Sequence, residues 1–290
     1  MIWGGFSLTM TYNYDSFLIS TNSNQGALMI DYQSIVASFP ESREENLRAI
    51  KRYSMTEVFF YRSSLWHHSL RVAFIVDAIS GIATELLPGF DAKKAFVLAL
   101  VHDDAEIITG DVQLGHKQVM SQEQLAEVER KELEAIDTLS SQFPRVVLWY
   151  EYRQLLLHAA HKDCIEAQLV SYADKVDAYS EAMHEVLGGN ISGLRSVIGY
   201  VDTIRSIKQR YTLIAQLFER KDVPLLNIGL RTDMWRVHWK NYSHLNKPHT
   251  PESILMETEF SFYNSWRELV LKNLREEGMK ILTEQIEGKH

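Results

Sequence analysis

Four residues of this sequence have the types and the placement to hold a divalent cation: His68, His102, Asp103 and Asp174. Each falls where a helical stripe ought to be apolar. His68 lies in "SLWHHSLRVAFIVDAISGIATELL", where Leu65, Val72, Ile75, Ile79 and Ile82 recur at three- and four-residue steps. Asp174 interrupts "LVSYADKVDAYSEAM" among Val170, Ala173 and Val176, and His102 and Asp103 follow the apolar run "LALV". Such side chains are costly to bury unless they are paired or bound to metal. A lone helical histidine is usually structural. A His, a His-Asp pair and an Asp converging from three helices instead form a ligand set for a borderline or hard cation, with positions left open. Neighbouring helical residues point about 100° apart, so His102 and Asp103 are expected to straddle the cation.

The same stretch, "LALVHDDAEIITGD", continues with more acids. Glu106 comes four residues after His102 and three after Asp103, on the same side of a helix. A carboxylate there is placed to carry a proton to or from a water or a leaving group without ligating the metal. Asp111 follows Gly110, a pair that ordinarily stops a helix and turns the chain. Asp104 has no role that the sequence assigns.

The elements that must position these groups read as helices. "SREE" looks like a capping box of Ser42 and Glu45 opening the first of them. The His68 helix ends at Pro88-Gly89, and a second helix, about 92 to 108, carries His102 through Glu106. A third, charged and surface-lying, starts at the capping box of Ser121 and Gln124. After Pro144 a fourth covers "RVVLWYEYRQLLLHAA", and a fifth runs from the cap-like "DCIE" at Asp163 to Gly188-Gly189-Asn190. Strand signals are almost absent, so the expected fold is all-α. Residues 1–41 read as a polar, aromatic lead-in, partly disordered or pairing as a short strand, with Met29 a sensible natural start. Residues 216–290, where three of the six prolines and three of the six tryptophans fall, read as a helical C-terminal appendage.

Composition narrows the function classes. With 46% hydrophobic and 23% charged residues the chain can bury a core, and no run approaches the length of a membrane span. A net charge of -8 argues against binding a nucleic-acid polymer, which calls for a basic face. The single cysteine, Cys164, forbids an intrachain disulfide and fits a reducing compartment, the cytoplasm.

The order H…HD…D on separate helices resembles the HD-domain metal-dependent phosphohydrolases. "HHSLRVA", "HDDAEIITGD" and "YADKVDAY" are similar to the corresponding segments of bacterial 5′-deoxynucleotidases, over about residues 47 to 190. The resemblance implies an HD-domain helical bundle, spanning 42–215 here, with one divalent cation (Mn, Co, Mg, Zn or Fe) on His68, His102, Asp103 and Asp174. It implies removal of phosphate from (deoxy)nucleoside 5′-monophosphates, with Glu106 and Asp111 as the catalytic acids. Arg62, Lys117, Arg52 and Tyr53 correspond to substrate-binding positions, and relatives tend to form homodimers. Two positions depart from the pattern: His67 stands where relatives usually carry glutamate, and Asp104 where they carry a small or apolar residue. His158 and His161, three apart, read as a solvated face rather than a second metal pair, and the Trp and His residues from Trp235 to His249 as packing. The alternatives are a deoxynucleoside triphosphate triphosphohydrolase and a catalytically inactive nucleotide sensor. A guanosine alarmone hydrolase fits less well, because Ile107 stands where that group has a second acid.

Overall fold

The computed structural model describes residues 32–226, apart from 54–57, 59–62, 112–119, 188–189, 191–193 and 221, and these residues fall within one compact unit. Short helices α1 (Tyr32–Ala37) and α2 (Glu41–Ala49) lead into α3 (Leu65–Leu86), α4 (Ala92–Val101) and the single turn α5 (Glu106–Thr109). Then come α6 (Gln122–Gln142), α7 (Tyr152–His161), α8 (Ile165–Leu187) and α9 (Leu194–Arg210). Two-residue strands β1 (Val146–Val147) and β2 (Tyr150–Glu151) form an antiparallel hairpin before α7. Turns of 3-10 helix at Ala215–Glu219 and Pro224–Leu226 follow α9. Apart from that hairpin the described elements are helical, the all-α class the patterning predicts, and among the described residues no helix is long and apolar enough to cross a membrane.

The centre of the molecule is α4. Every residue from Ala95 to Val101 is buried, because α3, α7 and α8 cover it from different sides. A helix that is apolar all round can only be a core element. Its start is fixed twice. Asp91 caps it, its Oδ1 accepting from the Lys93 and Lys94 amides at 3.0 Å each. Glu166, in the first turn of α8, accepts from the Asp91 amide at 3.0 Å and from Lys94 Nζ at 3.1 Å. That clamp ties the beginnings of α4 and α8 together.

Helix α3 is capped by the buried Ser64, and the face it buries includes Leu65, His68, Val72, Val76 and Ile79. Ile75 and Ile82, expected on that stripe, are only half-buried, and Val76 and Ala83 take the inward positions. Ahead of the helix, the Arg52 amide bonds Ser63 O at 3.0 Å and the Leu65 amide bonds Ile50 O at 3.2 Å. This bridge carries Arg52 and Tyr53 back alongside the first turn of α3.

Three local expectations change. Helix α2 is capped by Pro40 rather than by Ser42 and starts at Glu41, so the Ser42–Glu45 box does not form. Pro40 supplies the extended entry on its own, with φ -65° and ψ 149°. The helix predicted over 92–108 stops at Val101. Beyond it the amides of Asp104, Glu106 and Ile107 bond carbonyls three residues back, at 3.0, 2.9 and 2.9 Å, the tighter pitch of a 3-10 turn. The segment after Pro144 forms the hairpin before it turns helical at Tyr152, in keeping with its β-branched and aromatic "VVLWY". The capping box of Ser121 and Gln124 is present as expected. At the edges, Ile35 and Phe39 of the lead-in and Leu217 and Leu226 beyond residue 215 are buried within this body. Residues 227–290, including Trp235 to His249, lie outside the described residues.

Candidate active site

Helices α3, α4 and α8 bring the four proposed metal-binding residues together. His68 Nε2 lies 3.3 Å from Asp103 Oδ2 and 3.3 Å from Asp174 Oδ1, and His102 Nε2 lies 3.3 Å from Asp103 Oδ1. Donor atoms from His68, His102 and Asp103 all fall within 4.8 Å of one another. Atoms coordinating one small cation at about 2.1 Å sit about 3 Å apart when at right angles, so this spacing fits a common ion.

The donor set passes a stricter test at His102. Its Nδ1 lies 2.8 Å from Ala99 O, which accepts the Nδ1 hydrogen. That leaves Nε2 as a lone pair pointing at the acids, and this buried atom has no hydrogen-bond partner among the described residues. A buried nitrogen with nothing to accept from is costly unless something else uses it, and a metal ion would. Asp174 divides its carboxylate: Oδ1 faces His68, while Oδ2 accepts from Lys175 Nζ at 2.6 Å.

The charge states follow from these contacts. Burial pushes Asp103 upward, but His102 and His68 outweigh it and hold the carboxyl well below the usual range. Asp174 behaves likewise, with Lys175 and His68 opposing burial. Burial and Arg52 push the His68 imidazole down, yet Asp103, Asp174 and Asp177 lift it to about 10. A pocket of ionised acids that draws a proton onto a histidine attracts a cation equally well.

A cavity of about 860 Å³ opens beside this cluster. Glu106 and Asp111 lie in its wall together with His68, His102, Asp103 and Asp174. Glu106 begins α5, and Gly110 stops it with φ 74°, a left-handed conformation that glycine adopts without penalty, so the chain turns to present Asp111. Arg52 and Tyr53 also line the cavity, but Arg52 Nη1 is engaged by Glu181 at 2.8 Å and Asp177 at 3.3 Å. Tyr53 has φ 57°, uncommon for an aromatic residue, and its ring lies under the Arg52 guanidinium. The cavity is also lined by α9, whose Tyr200, Thr203, Ile207 and Arg210 form one helical stripe, and by Lys162 just past α7. Arg62 and Lys117 lie outside the described residues.

Several participants escaped the sequence reading. Asp177, Glu181 and Arg71 surround the back of His68, Asp177 at 2.6 Å from its Nδ1. The signal for them was helical spacing: Arg71 follows His68 by three, and Asp177 and Glu181 follow Asp174 by three and seven. Asp104 now has a place. It is fully buried, accepts from Arg43 Nε and Nη2 at 2.8 Å each, and takes the Tyr152 hydroxyl at 2.8 Å. His67 turns away from the cavity lining, contacting Ser64 Oγ at 3.0 Å and Arg48. His158 pairs with Asp163 at 2.6 Å rather than with His161, which is exposed and borders the cavity.

Comparison with known proteins agrees with this geometry. A 5′-deoxynucleotidase from Vibrio parahaemolyticus is 30% identical over 129 residues, 42% of this chain and 62% of that one. The corresponding protein of Vibrio vulnificus is 32% identical over 124 residues, again 42% of this chain and 62% of its own. The match thus spans less than two thirds of the length of these relatives. Among solved structures, an HD-domain phosphohydrolase from Listeria innocua superposes with a TM-score of 0.50 at 20% identity, covering 64% of this chain and 86% of that one, a likeness of fold. The profile of the family described as 5′-deoxynucleotidase YfbR-like matches residues 43–217, more than half of the 290 residues and all of the helices that build the cluster, and the chain belongs to that family.

Proposed function

We propose that this protein is a metal-dependent phosphohydrolase that removes phosphate from (deoxy)nucleoside 5′-monophosphates. The observation that carries the reading is the buried Nε2 of His102, without a hydrogen-bond partner among the described residues and set among His68, Asp103 and Asp174 at the wall of a nucleotide-sized cavity. His68, His102, Asp103 and Asp174 would hold one divalent cation, with Mn, Co, Mg, Zn and Fe all compatible with nitrogen and oxygen donors. When bound, such a cation supplies Lewis acidity to a phosphoryl oxygen.

The chain's own residues then divide the work. Asp111 orients an attacking water toward phosphorus. Glu106, on the adjoining turn, delivers a proton to the departing 5′-oxygen. Arg62 and Lys117, by their positions in the family's motif, offset charge on the phosphoryl oxygens. Arg52 and Tyr53 bound the phosphate side of the cavity, and the α9 stripe receives the nucleoside. A homodimer in the cytoplasm completes the reading, the first checked by light scattering and the second supported by the lone Cys164.

A screen of phosphate release from nucleoside mono- and triphosphates with Mn, Co, Mg and Zn tests it. Orthophosphate from monophosphates is expected. One observation favours a second reading, hydrolysis of a deoxynucleoside triphosphate: the cavity continues to Lys162 and Arg210, beyond what one phosphate needs. Release of tripolyphosphate would identify that activity. Tight nucleotide binding without turnover under any of these metals would leave a sensor instead.

A further inference from the structure

Asp177 is a deeply engaged acid that no part of the reaction above uses. It is 2% exposed and lies three residues beyond Asp174 on α8. Its Oδ2 is 2.6 Å from His68 Nδ1. Arg71 grips it with two donors, Nε to Oδ1 at 2.6 Å and Nη2 to Oδ2 at 3.0 Å. Glu181 takes the remaining contacts of the two nearby arginines, at 2.8 Å from Arg71 Nη2 and 2.8 Å from Arg52 Nη1.

These contacts decide which nitrogen of His68 carries hydrogen. An ionised carboxylate only accepts, so a 2.6 Å contact requires the hydrogen on Nδ1. Arg52 Nη1, 2.8 Å from the same nitrogen, has only donors and directs them to Glu181 and Asp177. Nε2 is then the nitrogen turned toward Asp103 and Asp174, and the one whose proton a bound cation would displace. His102 reaches the same tautomer by another route, through the neutral carbonyl of Ala99. The two histidines therefore differ in what stands behind them, a charged acceptor for one and a backbone dipole for the other.

We propose that Asp177 is the positioning residue of the metal site, fixing the tautomer and ring orientation of His68 and strengthening Nε2 as a donor, with Arg71 holding Asp177 in place. The inference rests on the reading of His68 as a metal ligand. Partners of this kind are worth about 10- to 100-fold in metal affinity.

The test is a Co(II) titration of the full chain after chelator treatment, followed by the visible absorption of the bound ion. Asp177→Asn keeps the size and an acceptor but removes the charge, and is expected to weaken binding about 10-fold. Asp177→Leu removes the acceptor as well and should approach 100-fold. Histidine-selective 15N NMR of the unaltered, zinc-loaded protein needs no variant and is expected to show His68 protonated at Nδ1 and bound through Nε2. Folded Asp177 variants that bind Co(II) as tightly as the parent, or a His68 bound through Nδ1, would overturn the proposal. A His68→Gln control separates the two levels. If it loses Co(II) while the Asp177 variants keep it, only the positioning role fails. If it binds as the parent does, the ligand assignment falls and the proposal with it.

Discussion

Asp103 and Asp104 are neighbours in sequence and opposites in circumstance. Asp103 faces two imidazoles and a second carboxylate, a cluster with acids in excess and a buried nitrogen left unsatisfied. Asp104 faces a guanidinium that covers both its oxygens and a phenol that adds a third hydrogen bond, and Arg43 Nη2 donates its other hydrogen to Leu100 O at 2.7 Å. One cluster is complete and joins α2 to the end of α4 and the start of α7. The other has unused donor capacity. Burial alone therefore says little about role, because Asp103 is largely buried and Asp104 wholly so. What separates a structural ion pair from a binding site is whether the hydrogen-bonding count closes without an added ligand.

The comparison breaks most sharply at the chemistry. Glu106→Ala is expected to lower phosphate release by about 10²- to 10⁴-fold while Co(II) or Zn content, measured by elemental analysis, stays at the parent level. Loss of metal in that variant would move Glu106 into the ligand set. On the Asp104 side the large effect is on stability. Removing one partner of a buried pair costs about 3–5 kcal/mol, so Arg43→Met should unfold at much lower denaturant. Restoring the count with Arg43→Met together with Asp104→Leu should recover part of that loss in urea melts. A double variant no better than the single one would contradict the self-contained view of this cluster.

Metal removal probes the open cluster, and pH sharpens it. In the metal-free protein His68 is held up to about 10, against an ordinary value near 6.5. The stability contributed by its proton is thus full below about 6.5 and fades as pH rises toward 10. A bound cation replaces that proton, so the added stability on metal loading should grow between pH 6.5 and 9. At a ligand concentration 100 times Kd it is expected to reach about 2.7 kcal/mol. Calorimetric scans with and without chelator at several pH values read this directly, and a gap that shrinks with rising pH would refute it.

The smallest effect is expected at a third cluster, of three charges. Arg130 pairs with Glu127 and Glu134 on the exposed face of α6. Exposed pairs are screened and entropically costly, so Arg130→Ala should leave the thermal midpoint and phosphate release where they were.

Residue type made the proposed ligands legible. His68, His102, Asp103 and Asp174 stand out because each sits in an apolar stripe, and the helices on either side of them were visible from periodicity. Asp104 was opaque for the opposite reason. Its partners Arg43 and Tyr152 are 61 and 48 positions away, and nothing local announces a pair closed over that distance. The Asp177 group fell between these cases, since its spacing from Asp174 was readable but its orientation toward the back of His68 depends on how α3 packs on α8. Local rules misled where two periods compete, as in "VVLWY", and where a helix tightens into a 3-10 turn after Val101.

The Glu166 clamp has a mechanical meaning. It gives α4 and α8 a common zero mark, from which His102 lies eleven positions along one helix and Asp174 eight along the other, counting from Asp91 and Glu166. At 1.5 Å per residue these are spans of about 16.5 and 12 Å, and the two helices act as a pair of rulers whose markings must meet at the proposed ion site. Substitutions change the markings on such a ruler, but deleting one residue of α4 between Lys94 and Val101 changes its length. His102 would slide back by about 1.5 Å and swing by about 100°, so the tolerance of this site to changes of chain length is far narrower than its tolerance to changes of side chain.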